Sequence, residues 1–206
     1  LLIIGAGAIG LELGSVYGRL GTEVTILEIM PSILPGTDLV TAQRLERILK
    51  KQGLKVYLQM KIESAEITSG QVNLRGLSLL DSKPFEFKAD KVLIAAGRKP
   101  NIEQLVWDEN LLARQKGNFL EVNSQGETSI PGVYAIGDLT GGKLLAHKAY
   151  HDGRVAAEAA AGLNSQLDYK ALPSAIFTEP ELASVGLSQA EAEARGLAIK
   201  IGEFPL

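Results

Sequence analysis

Leu1-Leu2-Ile3-Ile4-Gly5-Ala6-Gly7-Ala8-Ile9-Gly10-Leu11-Glu12 decides the fold. The apolar run at its head has the character of a strand buried on both faces. The glycines follow at once, and the spacing behind them predicts a helix over Leu11 to Leu20. A second strand, Thr22 to Leu27, ends at the acidic Glu28. Gly5 permits a tight turn out of the strand. Gly7 has no side chain to hold a ligand off the backbone at the positive end of the helix, and Gly10 lets the helix press on the sheet. Gly14 and Gly18 continue a flat stripe at four-residue spacing. Glycines alone also fit a purely structural turn. Strand, loop, helix, strand and an acid eighteen residues after Gly10 together fit a dinucleotide site. A carboxylate in that place accepts hydrogen bonds from the adenosine ribose and repels a 2′-phosphate. No Lys or Arg stands between Glu28 and Arg44, so the pattern predicts NAD rather than NADP.

Outward from this unit, Pro31, Pro35 and Gly36 mark a loop. Asp38 is placed to cap a helix from Leu39 to Gln52, closed by Gly53, with Val40, Leu45, Ile48 and Leu49 as its buried stripe. Lys55 to Leu58 reads as a third strand, and a β-α-β-α-β order implies a parallel sheet. Ile62 to Ile67, Gln71 to Leu79 and Pro84 to Lys88 read as an antiparallel meander. Lys91 to Ala96 returns to the parallel sheet and runs into Gly97-Arg98-Lys99-Pro100-Asn101. That loop either approaches a ligand at the carboxyl edge or is an ordinary Gly-Pro turn with a solvated arginine. Ile102 to Leu112 is predicted partly helical, with Trp107 packing. Phe119 to Val122 and Val133 to Ile136 are predicted as strands. The second ends at Gly137-Asp138, where an acid can accept from a ligand hydroxyl or cap the next turn.

Leu145 to Ala161 is an alanine-rich helix, with Ala149, Gly153, Ala156, Ala157 and Ala160 as its packing face. Its N-terminal amides follow Gly141-Gly142 and can face negative charge. His147 and His151 are four apart, yet no further ligand accompanies them, so they read as surface or packing residues and no metal is expected. After a linker, Leu167 to Leu172, short strands at Ala175 to Phe177 and Ala183 to Val185 precede a helix, Gln189 to Arg195, capped by Ser188.

The bulk composition narrows the classes. The chain has 206 residues, 46% hydrophobic and 22% charged, with net charge −3 and no cysteine. That excludes a basic nucleic-acid footprint, a disulfide framework and a redox thiol within these residues. No apolar run reaches membrane-spanning length. Leu1 lies inside a strand and Ile199 to Leu206 reads as a strand short of partners, so the chain is expected to be a segment of something longer.

Five ordered motifs carry a resemblance: Gly5 to Glu12, Ala95 to Asn101, Ile130 to Asp138, Ala146-His147-Lys148-Ala149, and Phe177 to Leu187. Together, over essentially the whole chain, they resemble the flavin-dependent pyridine nucleotide–disulfide oxidoreductases. The Ala-His-Lys-Ala element and the surroundings of Glu28 favour the dihydrolipoamide dehydrogenase branch over the NADPH-using reductases, with mercuric reductase and soluble transhydrogenase as other branches that fit. The resemblance implies an α/β fold with a Rossmann-like NAD domain at residues 1–98. It also implies a C-terminal part of an FAD domain at 99–166 and the start of a dimer-interface domain at 167–206. It places NAD against Gly5, Ala6, Gly7, Ala8, Ile9 and Gly10, with Glu28 at the ribose, Ile62, Ala95, Ala96, Gly97 and Arg98 along the nucleotide, and Glu12 near the nicotinamide. Asp138 would bond an FAD hydroxyl and Ala146 would approach the flavin.

The family's N-terminal FAD strand, its redox cysteine pair and its C-terminal His–Glu pair have no counterpart in this sequence. No catalytic residue is therefore expected here, and the chain alone is expected to be inactive on dihydrolipoamide. The whole enzyme would be a homodimer in the cytoplasm, or in the mitochondrial matrix of a eukaryote. Two rival readings are a stand-alone NAD-binding module and a self-associating interaction module, the latter expected to show open strand edges and apolar surface over residues 99–206.

Overall fold

The computed structural model describes residues 1–103 and 111–204. Most of the helix expected over Ile102 to Leu112, Trp107 included, lies outside the described residues. The chain divides into two compact units, Leu1–Gly97 with Ala175–Leu206, and Arg98–Ser174.

In the first unit, β1 (Leu2–Ile4), β2 (Thr25–Leu27), β3 (Lys55–Tyr57) and β7 (Val92–Ile94) form a parallel sheet in the order β3-β2-β1-β7. Ile3 stands opposite Ile26 on one side and Leu93 on the other. The fold class is the α/β arrangement the sequence implies. α1 (Ala8–Arg19) and α2 (Leu39–Lys51) join the first three strands. The glycine stripe explains how closely α1 lies on the sheet. A Cβ on Gly14 would stand 3.1 Å from Ile3 Cδ1 and 3.2 Å from Ile26 Cδ1, and one on Gly18 would stand 3.2 Å from Leu54. α2 begins as expected, Asp38 Oδ1 accepting the Thr41 N–H at 2.9 Å. Its buried residues are Ala42, Leu45 and Leu49. Val40, placed in that stripe from sequence, is exposed, because it lies about half a turn around the helix from Ala42, Leu45 and Leu49, and Ile48 is half-buried.

The meander is β4 (Met60–Thr68), β5 (Gln71–Ser78) and β6 (Pro84–Ala89), antiparallel and in that order. Ser69 and Gly70 both take positive φ in the two-residue turn between β4 and β5, the form that suits the twist of a hairpin. Leu74 is fully buried and packs with Leu2 and Leu27, so the meander covers part of the parallel sheet. The main core lies under α1 and α2. Ile176 and Leu182 join it from far along the sequence, where β8 (Ser174–Ile176) and β9 (Leu182–Ser184) form a two-stranded sheet. α4 (Gln189–Ala194) starts with a reciprocal cap between Ser188 and Glu191. Residues 199–204 form no strand, contrary to the sequence reading.

The second unit holds α3 (Ala146–Ala160) and a small core of Ile102, Leu112, Leu120 and Ala135. The strands expected at Phe119 to Val122 and Val133 to Ile136 reduce to single bridges, Arg114 with Leu120 and Glu127 with Tyr134. Their backbone groups are satisfied by loops, as where the Leu120 N–H bonds the Leu139 carbonyl and the Ala135 N–H bonds Gly126. Alternating apolar residues therefore mark burial here without a ladder. α3 also departs from its expected face. Ala157 and Ala160 are exposed, and the buried side carries Lys148, Asp152, Val155 and Ala156.

Candidate functional site

A cleft of about 520 Å³ opens at the carboxyl ends of β1, β2 and β7. Gly5, Gly7, Glu28, Ile62, Ala95, Ala96 and Gly97 line it, with Met30, Pro35 and Met60 at its sides. A parallel sheet puts a crevice there because the crossovers leave its strand ends uncovered.

The glycine loop divides by position. Gly5 takes φ +103°, and a Cβ on it would fall 2.4 Å from the Ala95 carbonyl oxygen, so only glycine lets β1 turn beneath the 95–97 loop. Gly7 has open space where a Cβ would go, and it begins α1 with no side chain capping the helix. The first-turn amides of α1 have no partner within the helix and carry its positive dipole end. Gly10 does not face the cleft: it is buried, and a Cβ there would meet the Gly5 carbonyl oxygen at 2.0 Å. Ala6 is buried as well, and both its backbone groups are spent, the N–H on Glu28 and the carbonyl on the Leu34 N–H. Among the six residues of the loop, then, Gly5 and Gly7 line the cleft, Ala8 and Ile9 open the helix beside it, and Ala6 and Gly10 support it from behind.

Glu28 is only 6% exposed, a costly place for a carboxylate without partners. Its Oε2 accepts the Ala6 N–H at 2.6 Å and its Oε1 accepts the Met30 N–H at 2.8 Å. These bonds lock the acid to the glycine loop and leave each oxygen a further lone pair toward the cleft. Sequence reasoning found this residue but missed that it also holds the loop. The signal was the buried strand end, where an acid needs backbone donors. Glu12 is absent from the cleft wall: its Oε1 accepts the Phe177 N–H at 2.9 Å, tying α1 to the chain after β8.

The remaining predicted residues fall in the second unit. Arg98 pairs with Asp138, Nη1 to Oδ2 2.9 Å, both about half exposed. Asp138 sits in a 3₁₀ turn, Gly137–Thr140. Ala146 is exposed at the first position of α3, which has no side-chain cap. His147 Nε2 lies 2.7 Å from the Pro173 carbonyl, and His151 packs edge-on against Tyr169. Among the described residues no group of three His, Cys, Asp or Glu could hold a metal ion.

Sequence reasoning quoted Lys148 only as part of the Ala146–Ala149 motif, with no role of its own, and passed over Asp152 and Tyr169. Lys148 Nζ lies 2.8 Å from Asp152 Oδ2, and both side chains are buried. Burial pushes the Asp152 carboxyl up, yet hydrogen bonds from Lys148, Tyr169 and the Gly137 amide outweigh it and leave the group below the usual carboxylate range. Burial and the same carboxylate push the Tyr169 hydroxyl up. The available signal was a Lys and an Asp one helical turn apart among small residues.

The sequence pattern of the pyridine nucleotide-disulphide oxidoreductases matches residues 1–153. The chain belongs to this family. The pattern for the dimerisation domain of pyridine nucleotide-disulphide oxidoreductases matches residues 172–206. Within the family, the chain is 45% identical over 205 residues to a dihydrolipoyl dehydrogenase of Thermus scotoductus, covering 100% of this chain and 44% of that protein. It is 41% identical over 205 residues to one from Staphylococcus aureus, covering 100% and 43% respectively. Among solved oxidoreductases of this kind, the flavoprotein disulfide reductase RclA from Escherichia coli superposes with a TM-score of 0.82 at 28% identity, over 97% of this chain and 45% of that one. The chain thus spans less than half the length of these relatives. No helix among the described residues is long and apolar enough to cross a membrane.

Proposed function

We propose that this chain is the NAD-binding part, with a portion of the flavin seat, of a dihydrolipoamide dehydrogenase. Residues 1–98 are its NAD domain, 99–166 the later part of its FAD domain and 167–206 the start of its dimer interface. The observation that carries the reading is the cleft in which Gly7, the uncapped start of α1 and the buried Glu28 converge. The cleft fits the ligand chemically. A bare backbone beside free amides suits a pyrophosphate, an acid with spare lone pairs suits vicinal ribose hydroxyls, and among the described residues no cation lines the wall to favour a 2′-phosphate.

Gly7 with the amides of Ala8 and Ile9 takes the pyrophosphate, and Glu28 takes the adenosine ribose. Ile62 and the Ala95–Gly97 backbone flank the nucleotide. Ala6 and Gly10 serve by keeping the loop in shape. Arg98 meets the nucleotide in the complete enzyme, and Glu12 lies near its nicotinamide end. Asp138, with a carboxylate open to solvent on one side, accepts from an FAD hydroxyl. The uncapped end of α3 at Ala146 faces negative charge on the flavin. Bound, the two cofactors supply electron transfer between a dithiol substrate and NAD. The cysteine pair and the acid/base histidine that this requires come from outside these residues. We place the whole protein, a homodimer acting on lipoamide, in the cytoplasm or a mitochondrial matrix, in keeping with a mitochondrial relative from Arabidopsis thaliana.

Titrating the chain with NAD and with NADP tests the site. NAD should bind at least tenfold tighter, and Glu28→Ala should abolish the preference. Equal affinities in the unaltered chain would overturn the assignment. For the activity, the complete protein should reduce NAD with dihydrolipoamide while residues 1–206 alone do not.

A further inference from the structure

In the second unit one set of charges is removed from water. Lys148 and Asp152 lie one turn apart on α3, and their side chains are 6% and 2% exposed. Burying two ions is costly unless remaining donors and acceptors are matched. Here they are matched, and largely by one residue of another element. The Gly137 N–H donates to Asp152 Oδ2 at 3.0 Å, and the Gly137 carbonyl accepts from Lys148 Nζ at 3.2 Å. The ion pair therefore holds both polar groups of a single peptide residue. Lys148 also donates to Thr140 Oγ1 at 2.9 Å, and that hydroxyl donates to the Gly137 carbonyl. Tyr169 closes the set, its hydroxyl donating to Asp152 Oδ1 at 2.6 Å and its ring lying 5.6 Å from Lys148 Nζ.

Gly137 and Thr140 are the two ends of the 3₁₀ turn, and Asp138 lies between them. Among the described residues the Asp138 carboxylate itself is held by Arg98, in an exposed pair of the kind that contributes little. Its direction is therefore set from beneath. Gly137 has φ +66°, and a Cβ there would stand 2.9 Å from the Cβ of Ala149, so the turn is seated directly on α3.

We propose that the Lys148–Asp152 pair, closed by Tyr169, is the positioning device for Asp138, fixing the turn so that this carboxylate meets a flavin hydroxyl. The inference rests on the reading of Asp138 given above. Lys148, Asp152 and Tyr169 are positioning residues and touch no cofactor.

A double-mutant cycle in the complete flavoprotein tests it, read as the FAD dissociation constant of the apoprotein and not as turnover. Asp138→Asn should weaken FAD about tenfold. Asp152→Asn should weaken it by a similar factor alone, and add little in the Asp138→Asn background, because residues acting through one contact are not additive. Tyr169→Phe, which removes one hydroxyl and keeps the ring, should give a smaller loss with the same non-additivity, and carries the cycle if Asp152→Asn does not fold. Losses that multiply in full in the Asp138→Asn background would reduce the set to a structural role and overturn the proposal. So would an unchanged dissociation constant in both single variants. If Asp138→Asn itself leaves FAD affinity unchanged, the reading of Asp138 falls, and this inference falls with it by a separate result.

Discussion

At the scale of single residues, the glycine loop distinguishes two kinds of glycine that look alike in sequence. A methyl at Gly10 would collide with a backbone oxygen of Gly5 at 2.0 Å, and neither partner is a flexible side chain. Gly10→Ala should therefore cost about 3 kcal/mol or more, seen as a lowered thermal midpoint without any nucleotide. Gly7→Ala meets nothing within 4 Å and keeps a negative φ of −75°. It should change stability by no more than about 1 kcal/mol and weaken NAD roughly tenfold, by holding the pyrophosphate off the amides. Glu28 holds two backbone amides with one side chain. Glu28→Gln turns an amide NH₂ toward one of the two N–H groups the carboxylate accepts, Ala6 or Met30. It should lower stability of the free chain by about 1–3 kcal/mol as well as weaken NAD. A melting curve unmoved in the absence of NAD would show that Glu28 does not support the loop.

At the scale of elements, α2 depends on its cap. Hydrogen bonds from the Thr41 amide and hydroxyl hold the Asp38 carboxyl below its usual range. A carboxylate lowered on folding contributes stability that is present above the ordinary carboxylate pKa and lost as pH falls through the lower folded value. Asp38→Ala should cost about 1 kcal/mol near neutral pH. The difference from the unaltered chain should shrink as pH falls through the lowered folded value, in paired urea melts. Asp152 behaves with the same sign in the second unit, where the unfolded chain binds the extra proton. The caps were legible in the sequence because Asp38 and Ser188 act within a few residues of themselves. The parallel sheet was legible because β1, β2 and β3 each carry an apolar run between strong turn signals. α3 was not. Its alanines suggested a face of small residues, whereas its buried side is chosen by a distant turn whose amide and carbonyl need a charged pair. Strands at Phe119 to Val122 and Val133 to Ile136 failed for a related reason. Alternation reports burial, and a ladder also requires a partner strand in register. Likewise the cleft's glycines and acid could be named from the sequence, but not which of them face inward, since Ala6 and Gly10 differ from Gly7 only in what lies above them.

At the scale of the whole molecule, the first unit is discontinuous in sequence, and its core shows the consequence. Ile176 and Leu182 are 5% and 7% exposed and pack in the cluster that contains Ile3, Leu11 and Ile26, core residues of β1, α1 and β2, the elements that carry the cleft. Glu12 and Gln52 reinforce the same seam, accepting from the Phe177 amide and donating to the Glu179 carbonyl. A cleft that looks self-contained over residues 1–97 thus leans on a segment that matches a dimerisation domain. Truncating Ile176 or Leu182 to Ala should destabilise the first unit by about 2–4 kcal/mol each, the range for an aliphatic side chain removed from a packed core. Both residues are in one cluster, so the double variant should fall short of or exceed the sum rather than match it. The measurement is urea unfolding followed with and without saturating NAD. Bound NAD should raise the midpoint of both variants by the same increment as in the unaltered chain, because the ligand touches neither side chain and acts by mass action on the folded state. A midpoint that ignores the substitutions would mean that residues 1–97 hold their core unaided, and that the later segment only rests on it.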